Sequence, residues 1–294
     1  MKKSFKILAV VLALVIIGTV FAACGKKADS GKTDELKGKV TAQVIDIKLT
    51  DEQYAFAVNP NNKDLLESVN KFLAEIKANG KFDEVVNHYF GEGKPVEITS
   101  AVEDKSKDQI IVVTEPGFEP FEYTVGEKFV GIDMELAKML ADYLGKELVI
   151  KTIDFDSIFS TLNTNGADIG MAGITVSPDR EKLVAFSDTY YNASQKLVVK
   201  STDTKFSACK TADDVAALLK ELPKTTKIGV QSGTTGHSYV DGSKDLGFDG
   251  LTAEAVGYTN GSLAVTAMLN GDVDYVIIDE APAACITKAI NALQ

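Results

Sequence analysis

Arg180 is the only arginine among the 31 basic side chains of this 294-residue chain. A lone guanidinium in a lysine-rich protein marks a place where a rigid bidentate fork does what an ammonium cannot. Asp279 closes the apolar run VDYVIID, where a carboxylate at a strand end can face a bound cation. Three further loops carry polar or aromatic groups at strand ends. Glu115 and Phe118 lie in EPGFEPF, Gly173 and Thr175 in AGIT, and Gln231, Thr234 and Thr235 in QSGTTG. Chemically the set is one guanidinium, one carboxylate for a cation, hydroxyls, free backbone N–H groups and an aromatic face. Such a set suits a zwitterion. Arg180 would take a carboxylate bidentately with loop N–H groups beside it, and Asp279 would pair an ammonium.

The elements that must position these residues alternate along the chain. Residues 54–58 read as a strand, followed by the turn signal Asn59-Pro60-Asn61-Asn62. Leu65, Leu66, Val69, Phe72, Leu73 and Ile76 recur at helical spacing up to Gly80, and a second helix runs near 82–90. Residues 91–108 form a polar connector. Strands are expected at 110–114, 148–153, 167–172, 197–199, 227–230 and 273–278. Helices are expected at 133–144, 155–162, 212–219, 263–269 and 282–292. Ser177-Pro178 reads as an N-cap followed by Pro at the first helical position. This alternation predicts an α/β protein with mostly parallel sheets flanked by helices. An internal echo links TLNTNGADIGMAG (161–173) with MLNGDVDYVIID (268–279), each reading helix end, Gly turn, strand, loop. Two such units predict two similar lobes with ligand loops at the carboxyl ends of their strands.

Composition narrows the class. At −11 formal charge the chain lacks the basic stripe that nucleic acid requires, so nucleic acid is excluded as a partner. Three Cys do not make a disulfide scaffold, and Cys209 and Cys285 are expected as free thiols, with a disulfide between them as the alternative. No metal-ligand cluster and no cofactor motif is read. Lys2, Lys3 and Lys6 precede the apolar run 7–22, and small residues lead into Cys24. That reads as a secretory signal over residues 1–23, in preference to an uncleaved anchor, since the run is shorter than a spanning helix needs. Residues 24–39 read as a polar tether. The Gly31-Lys32-Thr33 within it is rejected as a phosphate loop, because Lys26 stands where the pattern needs Gly or Ala and no strand precedes it.

The stretch TEPGFEPFEY…VGIDMELAKMLADYLG…DFDSIFSTL…ADIGMAGITVSPDREKLVAFSDTYY…SQKLVVK…KIGVQSGTTG…VDYVIIDEAPA resembles the extracytoplasmic solute-binding proteins of polar amino-acid ABC importers. The small residues before Cys24 resemble the lipobox of bacterial lipoproteins, with Phe21 where Leu is commoner. The resemblance covers nearly all of residues 46–294. It implies a two-lobed periplasmic-binding-protein fold of type II with the ligand in the cleft. The partners it implies are a free amino acid and a membrane permease; a lipid on Cys24 anchors the chain to the cell membrane, and a monomer is expected. One feature departs from the family. The block resembling its last segment, residues 45–90, here precedes the rest, which implies a circular permutation. Lobe one is then 51–200, holding the family's C-terminal block 51–92 and the connector 91–108. Lobe two is 40–50 with 201–294.

The resemblance also assigns roles. Arg180 binds the α-carboxylate with backbone N–H groups of Thr175 and Thr235; the plain alternative is a surface ion pair with Asp179 or Glu181. Asp279 binds the α-ammonium with the Thr175 hydroxyl and the Gly173 carbonyl; the alternative is an N-cap. Phe118 and Phe155 flank the side chain, although either alone is ordinary core. Glu115 and Gln231 touch its tip, unless Glu115 is a solvated charge. A Glu at that tip favours arginine or lysine; glutamine or cystine is the alternative. Thr234 and Thr235 could also be read as a phosphate cradle, but no P-loop Lys follows. Two rival functions remain. A cyclohexadienyl-dehydratase-like enzyme would need Glu115 as its general acid, and a receptor sensor domain would need a spanning helix.

Overall fold

A computed structural model describes residues 39–294; the signal, Cys24 and residues 24–38 of the tether lie outside the described residues. The chain begins with β1 (Ala42–Ile45), β2 (Glu52–Tyr54), β3 (Ala57–Val58), α1 (Lys63–Ala78) and α2 (Lys81–Phe90). Then follow β4 (Gln109–Thr114), β5 (Gly117–Phe118), β6 (Glu122–Val125), β7 (Lys128–Val130), α3 (Ile132–Leu144), β8 (Glu147–Thr152), α4 (Ser157–Asn163) and β9 (Ile169–Gly170). The middle section has α5 (Pro178–Glu181), β10 (Ala185–Phe186), β11 (Tyr191–Ala193), β12 (Gln195–Lys200) and α6 (Ala212–Lys220). The last is β13 (Lys227–Gln231), α7 (Thr235–Asp241), β14 (Glu254–Tyr258), α8 (Gly261–Asn270), β15 (Tyr275–Asp279) and α9 (Glu280–Ala292). No helix among the described residues is long and apolar enough to cross a membrane.

Two five-stranded sheets share one plan. The first has the order β10-β3-β9-β4-β8 and the second β1-β12-β15-β13-β14. In each, the last three strands are parallel and the first two join antiparallel. The expectation of mostly parallel sheets is therefore corrected to mixed sheets. The physical cause is the chain path: it crosses between the sheets at β2 and returns at β11, and the strand entered after each crossing, β3 or β12, runs against the other four of its sheet. β2 and β11 pair with each other as a two-stranded ribbon between the sheets. The internal echo has a structural counterpart, since β9 and β15 hold the same central position in their sheets.

Alternating burial supports each sheet from both faces. In the second sheet Leu197, Val199, Ile228, Val230 and Ile277 pack one way, while Val198, Val276 and Ile278 pack the other. In the first, Ile110 and Val112 face α1, α2 and α3, whereas Val113 faces the Phe155–Phe159 side of α4. Helix α1 has the expected apolar stripe, with Leu65, Val69, Phe72, Leu73 and Ile76 buried and Asn62 capping its N-terminus. Three details differ from the sequence reading. Strand β12 pairs in the second sheet, so the first lobe's strands end before Gln195 rather than at 200. Residues read as one loop after Thr114 contain the β5–β6 turn of a three-stranded meander. Cys285, expected as a free thiol, is disulfide-bonded, though not to Cys209, which is free and half-buried as expected.

Candidate functional site

The carboxyl ends of β4, β9, β13 and β15 meet between the two sheets around a tight cavity of about 10 Å³. Its lining holds Phe118, Phe155, Gly173, Thr175, Arg180, Gln231, Thr234, Thr235 and Asp279. Glu115 stands outside that lining but reaches it, because its Oε2 accepts a hydrogen bond of 2.9 Å from Gln231 Nε2. Glu122 and Ala172 also line the cavity and were not anticipated. The register of the meander places Glu122 directly opposite Phe118. Recognising the hairpin in GFEPFEY would have brought it to the same site.

Arg180 belongs to the short helix α5, whose N-cap Ser177 accepts the Arg180 backbone N–H and whose first residue is Pro178, as the sequence predicts. Its guanidinium does not pair with Asp179, which bonds Lys182 instead. Nη1 donates to the Thr175 carbonyl at 2.7 Å and Nη2 to the Gly233 carbonyl at 3.0 Å. The second bond crosses the cleft from the first lobe to the second. The guanidinium carbon lies 5.3 Å from the Phe155 ring centre and 4.9 Å from that of Phe159, within cation–π range. Burial lowers its pKa to about 10, while the negative charges of Glu52 and Asp279 oppose that shift. It remains a cation at neutral pH, with N–H donors to spare for a bidentate acceptor.

Opposite it lie carboxylates. Asp279 occupies the N-cap position of α9, yet its side chain makes no capping bond. Its Oδ1 accepts instead from the hydroxyl of buried Tyr54 on β2. Burial, aided by the negative charge of Glu52, pushes its pKa up to about 7, against the Tyr54 hydrogen bond. Glu115 is also pushed up to about 7, chiefly by burial. Glu122 is 1% exposed, and its Oε2 has no hydrogen-bond partner among the described residues. Burial, with like charge from Asp133, Glu115 and Asp279, holds that carboxyl well above its ordinary range. One cation therefore faces several desolvated acids, and a cation entering among them would be strongly favoured.

Two supports hold the first-lobe loops. Buried Asp133 on α3 accepts the Gly173 N–H at 2.9 Å and the Tyr190 hydroxyl at 2.7 Å, which pins the loop after β9. Gly173 itself sits at φ 53°, and a Cβ there would come within 2.7 Å of the Phe118 ring. In the second lobe, Thr234 caps α7: it accepts the His237 N–H and donates to the Gln231 carbonyl at 2.8 Å. That hydroxyl is occupied by the fold even though the residue lines the cavity.

The sequence profile of the bacterial extracellular solute-binding proteins, family 3, matches residues 110–270. The chain belongs to that family. The arginine-binding extracellular protein ArtP of Bacillus subtilis (strain 168) is 36% identical over 131 residues, 45% of this chain and 47% of that protein. The match thus spans about half the relative's length. A probable histidine-binding protein of Neisseria gonorrhoeae is 31% identical over 64% of this chain and 69% of its own. Among solved structures, an ancestral arginine-binding protein bound to arginine superposes with a TM-score of 0.53 at 33% identity, covering 63% of this chain and 76% of that one. The fold of this solute-binding protein is accordingly related to the type II periplasmic-binding architecture, with mixed sheets flanked by helices. These three relatives are binding proteins, which is consistent with a non-enzymatic role. An extracytoplasmic location is consistent with the same membership.

Proposed function

We propose that this chain binds a basic amino acid, arginine or lysine, by hinge closure and delivers it to an ABC-transporter permease. The observation that carries this reading is the charge balance of the cavity: Arg180 alone against Asp279 and Glu122, with Glu115 bonded to the lining residue Gln231. A zwitterion neutralises Arg180 with its carboxylate and Asp279 with its ammonium. A second cation on the ligand then answers the remaining acids. In this reading Thr175, Thr235 and the Gly173 carbonyl complete the backbone end, Phe118 and Phe155 flank the side chain, and Glu115, Glu122 and Gln231 meet its tip. The ligands named for two relatives, arginine and histidine, support a nitrogen-rich side chain.

The bonds that cross the cleft, Arg180 to Gly233 and Gln231 to Glu115, describe a closed arrangement. A ligand stabilises closure only through its extra affinity for that state. The test is a thermal-shift screen of the purified protein against the twenty amino acids, after unfolding and refolding to strip bound ligand. At 1,000 times Kd a ligand adds about 4 kcal/mol, several degrees for a protein of this size. A shift confined to arginine or lysine is expected. A shift with glutamine or cystine alone would replace the ligand class, and no shift at all would overturn the receptor reading.

The circular permutation belongs to the same proposal. It is supported by the placement of α1 and α2 against the first lobe and by the contact of β1 with α9, where Asn291 bonds both the N–H and the carbonyl of Ala42. A variant rejoined from 294 to 40 and opened within 91–108 should retain fold and binding. In the proposal Cys24 carries a lipid and the tether enters at β1, on the second lobe. Cys24→Ser should move the protein from the membrane fraction to the soluble one. The protein should elute as a monomer.

A further inference from the structure

A buried carboxylate at the crossing between the lobes touches the cavity only through another residue. Glu52 opens β2, the strand that carries the chain from one sheet to the other, and it is 7% exposed. Its Oε2 accepts the Thr175 hydroxyl at 2.6 Å. Its Oε1 accepts the Thr50 hydroxyl at 2.6 Å and Gln195 Nε2 at 3.0 Å. Thr50 in turn accepts the Gln195 backbone N–H at 2.8 Å. Thr175 comes from the first lobe and Gln195 from β12 of the second, so one carboxylate is held from both sides of the hinge. Two residues along the same strand, Tyr54 donates to Asp279. Glu52 does not line the cavity, whereas Thr175 and Asp279 do.

Hydrogen-bond arithmetic gives this network a consequence. A threonine hydroxyl has one proton, and an ionised carboxylate can only accept. With its proton committed to Glu52, Thr175 can offer the cavity only acceptor lone pairs. Tyr54 likewise commits its proton to Asp279 and has none left for a ligand. With Asp279 ionised, the ammonium end of the cavity is thus built entirely of acceptors.

We infer that Glu52 is a positioning residue that makes this subsite acceptor-only and thereby enforces the requirement for an α-ammonium on the ligand. This rests on the receptor reading above and adds the residue responsible for discrimination at one end of the ligand. In Glu52→Gln the side-chain amide brings donors of its own. A donor facing Thr175 turns the threonine proton toward the cavity, where it opposes an ammonium and welcomes a neutral group.

The experiment is titration calorimetry of the whole protein with three ligand pairs, each an amino acid and its counterpart lacking the α-amino group. The pairs are arginine with 5-guanidinopentanoate, lysine with 6-aminohexanoate, and glutamine with glutaramate. Wild-type protein should prefer the amino acid in at least one pair. Glu52→Gln should weaken that amino acid by about 10- to 100-fold, the loss of a hydrogen bond to a charged group, and leave its counterpart within about threefold. Should Glu52→Gln fail to fold, Thr175→Val removes the same hydroxyl and should collapse the same preference. In the Thr175→Val background, Glu52→Gln should then change the preference no further. Equal weakening of both members of a pair, or no weakening, overturns the inference while leaving the receptor reading intact. Wild-type protein that binds none of the six overturns both.

Discussion

At the scale of single residues the site depends on what each buried charge is already doing. Arg180 holds two backbone carbonyls, one from each lobe, through separate nitrogens. A lysine at that position offers one point charge and no fork, so Arg180→Lys is expected to cost at least about 100-fold in ligand affinity, roughly the 3 kcal/mol of a charged bidentate contact. Calorimetry with arginine measures it, and retention of affinity would show that the carboxylate is bound elsewhere. Glu115 behaves differently. It stands just outside the cavity lining, bonded to the lining residue Gln231. Glu115→Gln should lower affinity for arginine and lysine about tenfold or more and raise the relative affinity for glutamine. A competition assay with the three amino acids reads that change directly.

At the scale of elements the decisive pieces are short loops pressed together across the cleft. Gly233, between β13 and α7, sits at φ 74°, and a Cβ there would lie 2.7 Å from Cβ of Asp156 in the opposite lobe. Its carbonyl is also the one that Arg180 reaches across the gap. Gly233→Ala should therefore prop the cleft open while leaving each sheet intact. Binding should weaken by about an order of magnitude, from backbone strain and lost closure together. Small-angle scattering with saturating ligand should show incomplete contraction relative to wild type. Full contraction would mean that the loops yield. The ribbon of β2 and β11 is the complementary element, since both chain crossings run through it.

For the molecule as a whole, buried acids couple stability to pH. Asp133, Glu115 and Asp279 are all raised to about 7 in the folded protein, in each case first by burial. An acid whose folded pKa lies above its unfolded value of about 4 favours the folded state fully at low pH, and that contribution fades as pH climbs toward and through 7. The ligand-free protein should thus melt higher near pH 5 than near pH 8, by several degrees, corresponding to about 1–2 kcal/mol. Mutual repulsion within a chain of −11 net charge acts in the same direction. A basic ligand reverses the sign, because a cation among these carboxyls favours their ionised forms. Its affinity should rise between pH 5.5 and 8, with proton release visible as a buffer-dependent heat. A ligand-free melting temperature that climbs steadily to pH 8 would contradict the assignment of these acids.

Much of this was legible in the sequence because it depends on local periodicity and on residue chemistry. The stripe of α1, the Ser177-Pro178 helix start and the strand-end loops follow from rules that act over a few residues. The rarity of arginine points to Arg180, and the repeated helix–turn–strand unit points to two similar lobes, its strands folding as β9 and β15. The short strands of the meander were hidden, since two- and three-residue strands carry too little alternation to register, and Glu122 was lost with them. The mixed sense of the sheets was hidden too, because strand direction follows from where the chain crosses between lobes. So were the roles of Tyr54, Glu52 and Asp133, whose partners Asp279, Thr175 and Gly173 lie between 40 and 225 residues away along the chain. The sequence by itself determined which elements form and which chemical groups stand at their ends. Tertiary structure alone decided which acids share one desolvated space, because burial and charge proximity are set by distance through the folded protein rather than along the chain.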